Sequence, residues 1–237
     1  MPTLSLFHRV RPSALTLTPP PVLVLFHGNR GTEQAIHALW EAFDPRWLIL
    51  SPRAPYQGGP DEYTWLDFAG PPTPDRLPAA HQAFQAATDI VFSFLAEAQT
   101  AYGGDPNRLY VCGHSQGAAV SGTLGLLYQA PLAGAVMLCG SLWPPTLDYL
   151  TTTEHLVGRT FLVGHGSQDR YAPPAMGAAN CQLLRHLPVH VTYQEYDMAH
   201  DINAACFKQV TGWLSQQLTH AAGSGDRGCA EPGQTRD

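Results

Sequence analysis

An α/β fold with a mostly parallel central sheet and helices on both faces is what this sequence predicts, on three observations. Apolar runs of strand length recur along the chain, as in strands covered on both faces. They alternate with segments of helical periodicity, the pattern of parallel strands joined by right-handed crossovers. The sharpest turn, Gly113-His114-Ser115-Gln116-Gly117, joins one such run directly to a helix of small residues. A chain of 237 residues with 44% hydrophobic content can bury the core of one such domain, expected over residues 1–222. From Gly223 to Asp237 the composition turns to Gly, Ser, Pro and charge, which cannot repay ordering entropy by burial, so a disordered tail is expected there.

Each element follows from local pattern. Thr3 to Arg9 reads as an edge strand, with a proline-bearing turn region after it up to Pro19-Pro20-Pro21. Val22 to Phe26 is a buried strand that stops abruptly at His27-Gly28-Asn29-Arg30-Gly31. Ile36, Leu39, Trp40 and Phe43 have helical spacing within Glu33 to Phe43, and Trp47 to Leu50 is the next strand, closed by Ser51-Pro52. Arg53 to Pro78 is rich in Pro, Gly and aromatics without periodicity, and an irregular stretch that long is usually functional or mobile. Ala79 to Ala101 is a helix with Phe84, Val91 and Phe94 on one face, ended by Gly103-Gly104-Asp105-Pro106. Leu109 to Cys112 is a strand and Ala118 to Leu127 a helix, followed by a strand at Ala133 to Cys139 and an aromatic loop from Gly140 to Thr153. Thr160 to Gly164 is a strand, Pro173 to Leu187 a helix, Val189 to Tyr196 a strand, and Asp201 to Leu218 an amphipathic helix.

Composition removes several function classes. A formal charge of −6 and the lack of any Lys/Arg run give no field for nucleic acid. Lys208 is the only lysine, which rules out a Walker A loop and leaves little room for Schiff-base chemistry. No H-E-x-x-H or paired-Cys signature suggests zinc, and five cysteines, of which Cys112 and Cys139 lie in apolar runs, suggest no disulfide framework. No apolar stretch approaches membrane-spanning length and no leader-like segment opens the chain, so a cytoplasmic protein without stable membrane insertion is expected.

The turn at Ser115 carries the chemistry. Gly113 and Gly117 flank it at the spacing of a G-x-S-x-G nucleophile elbow, where the missing Cβ atoms let strand and helix approach while the serine holds a strained backbone. The first N–H groups of the helix behind it lack intrahelical partners and favour negative charge. A serine hydroxyl needs a base, and the base needs an acid to fix its tautomer. The segment His165-Gly166-Ser167-Gln168-Asp169 puts a carboxylate just past one strand, and Tyr196-Asp197-Met198-Ala199-His200 puts an imidazole just past the next. Asp148, Asp197 and Asp201 compete with Asp169 for the acid. Ser, Asp, His is the chain order of α/β-hydrolases, in which the oxyanion hole uses the N–H after the nucleophile and one from an early loop, here Gln116 and Asn29. Trp65, Leu142 and Trp143 come from segments expected at the sheet's carboxyl edge and are candidates for an apolar acyl or aryl pocket.

From Val22 to Leu218 the chain resembles the phospholipase/carboxylesterase branch of the α/β-hydrolases, the group of acyl-protein thioesterases and small bacterial carboxylesterases. The resemblance rests on the order and spacing of FHGNRGTE, SPRAPY, the Trp65 segment, DPNRLYVCGHSQGAA, LAGAVMLCGSL, GHGSQD and AHDI. It implies an α/β-hydrolase fold without a large lid domain, a triad of Ser115, Asp169 and His200, oxyanion donors at Asn29 and Gln116, no cofactor, and by analogy a homodimer. The expected activity is hydrolysis of small-molecule carboxylic esters, with acyl-protein thioester or lysophospholipid cleavage as the alternative and a silent hydrolase fold that binds a ligand as a further one. Two departures stand out: Arg30 replaces a small residue of the loop after the first long strand, and Arg170-Tyr171-Ala172 replaces an aliphatic pair after the acid.

Overall fold

The computed structural model describes residues 2–15, 19–35, 37–67 and 73–220. The tail expected at 223–237 lies outside them. In chain order the strands are β1 (His8–Arg11), β2 (Val22–Phe26), β3 (Leu48–Pro52), β4 (Tyr56–Gly59), β5 (Glu62–Thr64), β6 (Leu109–His114), β7 (Gly134–Leu138), β8 (Thr160–Gly166) and β9 (His190–Tyr196). The helices are α1 (Leu77–Tyr102), α2 (Gln116–Leu127), α3 (Pro174–Leu184) and α4 (Ala204–His220). Seven strands form the central sheet in the order β1-β3-β2-β6-β7-β8-β9. β1 runs antiparallel to β3 and every other pairing is parallel.

Alternation along the strands divides the core in two. Val22, Val24 and Phe26 of β2 join Leu48, Leu50, Val111, Phe94, Leu124 and Phe161 on the face covered by α1 and α2. Leu23 and Leu25, one residue out of phase, join Ile49, Tyr110, Val136, Leu162 and the α4 residues Cys206, Val210 and Leu214 on the other. Burying each such aliphatic side chain contributes about 1.5–3 kcal/mol, and a sheet apolar on both faces has to be sandwiched between helices. The period-2 and period-3.6 runs therefore lead to one architecture.

Local departures from the predicted elements have identifiable causes. The edge strand lies at His8–Arg11 instead of Thr3 to Arg9, because the Arg11 guanidinium donates to the carbonyls of Trp40, Phe43 (3.1 Å) and Asp44 (2.8 Å) and clamps that stretch to the loop before β3. The helix expected over Glu33 to Phe43 is shortened to a 3₁₀ segment at His37–Ala42. Glu33 is 0% exposed and accepts two hydrogen bonds from Arg53, at 2.6 and 3.0 Å, with Arg9 at 3.5 Å. That carboxylate holds the chain in a loop where a helix would otherwise start. The Arg53 to Pro78 stretch is not all irregular: β4 and β5 pair as an antiparallel hairpin whose turn holds Asp61 at φ 54°, a left-handed conformation that Asp tolerates. α1 starts two residues before its expected N-terminus, with a Pro in its first turn, and stops at Gly103, whose φ of 62° lets its N–H reach the Gln99 carbonyl. No described helix is long and apolar enough to cross a membrane.

Candidate active site

β6, β8 and β9 end at the same edge of the sheet, and the loops that follow them bring Ser115, Asp169 and His200 together. Ser115 sits between β6 and α2 at φ 56°, ψ −118°, a backbone conformation costing about 1–3 kcal/mol. The turn can be this tight because its glycines carry no Cβ: one added to Gly113 would stand 2.0 Å from the Gly117 carbonyl oxygen, and one on Gly117 2.2 Å from that of Phe26. The Ser115 N–H donates to the Leu138 carbonyl at 2.8 Å, tying the elbow to β7.

His200 Nε2 lies 2.9 Å from Ser115 Oγ, and Nδ1 lies 2.7 Å from Asp169 Oδ2. An ionised carboxylate can only accept, so Nδ1 carries the proton and Nε2 presents its lone pair to the serine hydroxyl. Asp169 is 3% exposed, and its other oxygen accepts the N–H groups of Tyr171 (2.8 Å) and Ala172 (2.9 Å). Burial pushes this carboxyl up, but the His200 hydrogen bond and the two backbone donors outweigh it and hold the pKa below the ordinary value. The competing acids are engaged elsewhere. Asp148 is exposed and 3.9 Å from His81, Asp197 accepts from Gln168 Nε2, and Asp201 accepts from the Ile202 N–H.

The loop carrying Asn29 passes against the serine: a Cβ on Gly28 would lie 3.4 Å from that of Ser115. The loop is closed by Gly31 N–H on the Gly28 carbonyl, and from within by His27, whose Nδ1 donates to Gly28 O (2.8 Å) while Nε2 accepts the Ala54 N–H (3.1 Å). Desolvation lowers the His27 pKa and keeps the ring neutral for that double role. Gln116 is the first residue of α2, so its N–H has no intrahelical acceptor. Arg30, at φ 61°, is solvent-exposed and pairs with Glu62 of the hairpin at 2.6 Å.

Of the three residues expected to line a pocket, Trp65 is placed differently. It is 0% exposed, packs edge-on against Phe26, and donates Nε1–H to the His27 carbonyl at 2.8 Å. Trp65 is therefore part of the core supporting the Asn29 loop and lines no accessible surface. Leu142 is buried at the margin of the core, 9% exposed, and Trp143 is half-buried with its ring edge-on to Phe84.

Three supporting contacts are not visible in the sequence pattern. The Gln116 side chain accepts the Trp65 N–H (2.9 Å) and donates to Thr64 Oγ1 (2.9 Å), fastening the hairpin to the elbow. His165, fully buried, donates Nε2–H to the Ala172 carbonyl at 2.7 Å and so fixes the loop that holds Asp169. His114 packs its ring 4.9 Å from that of His200, and desolvation first, then the neighbouring imidazole, pushes its pKa down to about 4. Only the presence of histidine after a strand-end glycine could have pointed to the last two. No group of three His, Cys, Asp or Glu side chains suited to a metal occurs among the described residues.

Comparison with known proteins gives a consistent picture. The model of the family described as phospholipase/carboxylesterase matches residues 16–218. Carboxylesterase SOBER1 of Arabidopsis thaliana is 25% identical over 186 residues, covering 75% of this chain and 79% of that protein. Among solved structures, the Bacillus cereus carboxylesterase superposes with a TM-score of 0.76 at 22% identity, over 89% of this chain and 94% of that one. A carboxylesterase from Mesorhizobium loti gives 0.75 at 22% identity, over 91% and 97%. At these identities the structural matches establish a shared fold.

Proposed function

This chain belongs to the phospholipase/carboxylesterase family, and from that premise we propose that it is a cofactor-independent serine hydrolase of small-molecule carboxylic esters, working through an acyl-enzyme on Ser115. The observation that carries this reading is the unbroken relay from Ser115 Oγ through both His200 nitrogens to Asp169, at 2.9 and 2.7 Å. In the proposed reaction Ser115 Oγ bonds to the acyl carbon as His200 Nε2 takes its proton. The carbonyl electron pair moves to the oxyanion, held by the N–H groups of Asn29 and Gln116. As the pair returns, the bond to the leaving oxygen breaks and that oxygen takes the proton from Nε2. Water, deprotonated by His200, then attacks the acyl-enzyme, and Ser115 recovers its proton as the acid departs. Asp169 keeps the imidazole in the Nδ1–H tautomer and stabilises its cation. In this reading residues 1–222 form the catalytic domain, and Leu142 and Trp143 are the remaining candidates for the acyl wall.

The test is turnover of p-nitrophenyl acetate together with covalent labelling by a fluorophosphonate. The wild-type protein hydrolyses the ester and carries the label on Ser115. Ser115→Ala loses the label and about a million-fold in kcat. Hydrolysis undiminished in Ser115→Ala would refute the assignment.

A further inference from the structure

Tyr171 is 88% exposed, more than any other large hydrophobic side chain among the described residues, and it stands beside the proposed base. Its ring centroid lies 5.4 Å from that of His200, with the planes inclined by 33°. The backbone beneath it is fixed: its N–H donates to Asp169 Oδ1 at 2.8 Å, and the next residue is held by both Asp169 and His165. An aromatic ring left in water on so rigid a support has most of one face free for a ligand. Ser167, Gln168, Arg170, Tyr171 and His200 border an open depression of ≈ 660 Å³ at this place. Arg170, also exposed, has no ion pair among the described residues.

Proton delivery fixes which part of a substrate comes here. The leaving oxygen must come within reach of His200 Nε2, so whatever is attached to that oxygen extends past the imidazole and away from the acyl group on Ser115. Of the two rings beside the imidazole, His114 at 4.9 Å is desolvated, whereas Tyr171 at 5.4 Å stands in solvent where an incoming ligand can reach it. From this placement we infer that Tyr171 forms a leaving-group subsite for esters of aromatic alcohols, stacking the departing aryl ring while its oxygen is protonated. This inference rests on the serine-hydrolase reading and adds to it the class of alcohol that the site selects. Acyl-side residues have no part in it, and the second half-reaction, after the alcohol has gone, is independent of it.

The test compares two acetates whose alcohols are both activated, phenyl acetate and trifluoroethyl acetate, in the full-length protein and in Tyr171→Ala and Tyr171→Phe. Both esters give the same acetyl-enzyme, so the ratio of their kcat/KM values reports the leaving-group side alone. One aromatic contact predicts that Tyr171→Ala lowers the phenyl-to-trifluoroethyl ratio about threefold to tenfold and that Tyr171→Phe restores it. Equal fluorophosphonate labelling of Ser115 in all three proteins shows that the variants are folded and their serine active. A ratio unchanged in Tyr171→Ala, with labelling intact, overturns the subsite and leaves the hydrolase reading standing. Wild-type protein that turns over neither ester and takes no label overturns both.

Discussion

Asp169 satisfies three donors with two oxygens: Oδ2 accepts from the imidazole, and Oδ1 from the Tyr171 and Ala172 N–H groups. This division makes Asp169→Asn an informative change. An amide has one oxygen, so if it faces the two backbone donors its NH₂ faces His200 Nδ1. Nδ1 must then give up its proton to accept, and Nε2 becomes protonated and useless as a base toward Ser115. The expected result is a loss of about ten-thousand-fold in kcat with normal folding, measured on p-nitrophenyl acetate beside a circular dichroism spectrum. A loss below tenfold would mean that the carboxylate does not set the tautomer. His200→Ala should cost about a million-fold, as for Ser115→Ala, because the two act as a unit and their losses do not add.

The β4–β5 hairpin depends on contacts distant in sequence. Gln116 reaches across 51 residues to the Trp65 N–H and 52 to Thr64, and Arg30 pairs with Glu62. Gln116→Ala keeps the backbone N–H of α2 but leaves the Trp65 N–H without its acceptor, at a cost of about 1–3 kcal/mol. The melting temperature should fall by several degrees, while kcat falls less than the hundred- to thousand-fold expected for an oxyanion donor removed outright. A thousand-fold loss of kcat would show that the side chain, and not just the amide, is needed to hold the proposed oxyanion site. This hairpin also marks where sequence reading stopped. The long helices and covered strands were legible because burial imposes a period on α1 and β2. The elbow was legible because only glycine fits at 113 and 117. A hairpin turning at Gly59-Pro60-Asp61 has no alternation to reveal it, and Trp65 looks like a pocket residue until its indole N–H is seen bonded to the His27 carbonyl. Glu33 likewise fits a helical pattern, and only the two arginines brought to it by the fold show why the helix does not form there.

For the molecule as a whole, buried neutral histidines and paired carboxylates set the response to acid in two stages. His27 and His114 both have lowered pKa values, the second at about 4, with His200 and His165 opposing its protonation and Asp201 and Asp169 favouring it. In the unfolded chain each takes up a proton near pH 6.5, while in the fold each resists, so below pH 6.5 the unfolded state binds more protons. Stability therefore falls as pH drops from about 6.5, by up to about 1.4 kcal/mol per pH unit for each histidine, and for His114 the loss ends near pH 4. The lowered carboxylates Asp169, Glu33 and Asp44 act in a lower window. Their contribution is intact above the ordinary carboxylate pKa and is lost as pH falls through their folded values. His114→Phe separates the stages. Its Nε2 is buried without a hydrogen-bond partner, so a phenyl ring in its place removes an unsatisfied polar atom as well as a titrating group. Melting temperatures measured from pH 7.5 to 4 should fall less steeply for His114→Phe than for wild type, with no loss at pH 7.5. Parallel curves for the two proteins would show that His114 titrates alike in the folded and unfolded chains, and that its burial against His200 leaves its proton affinity unchanged.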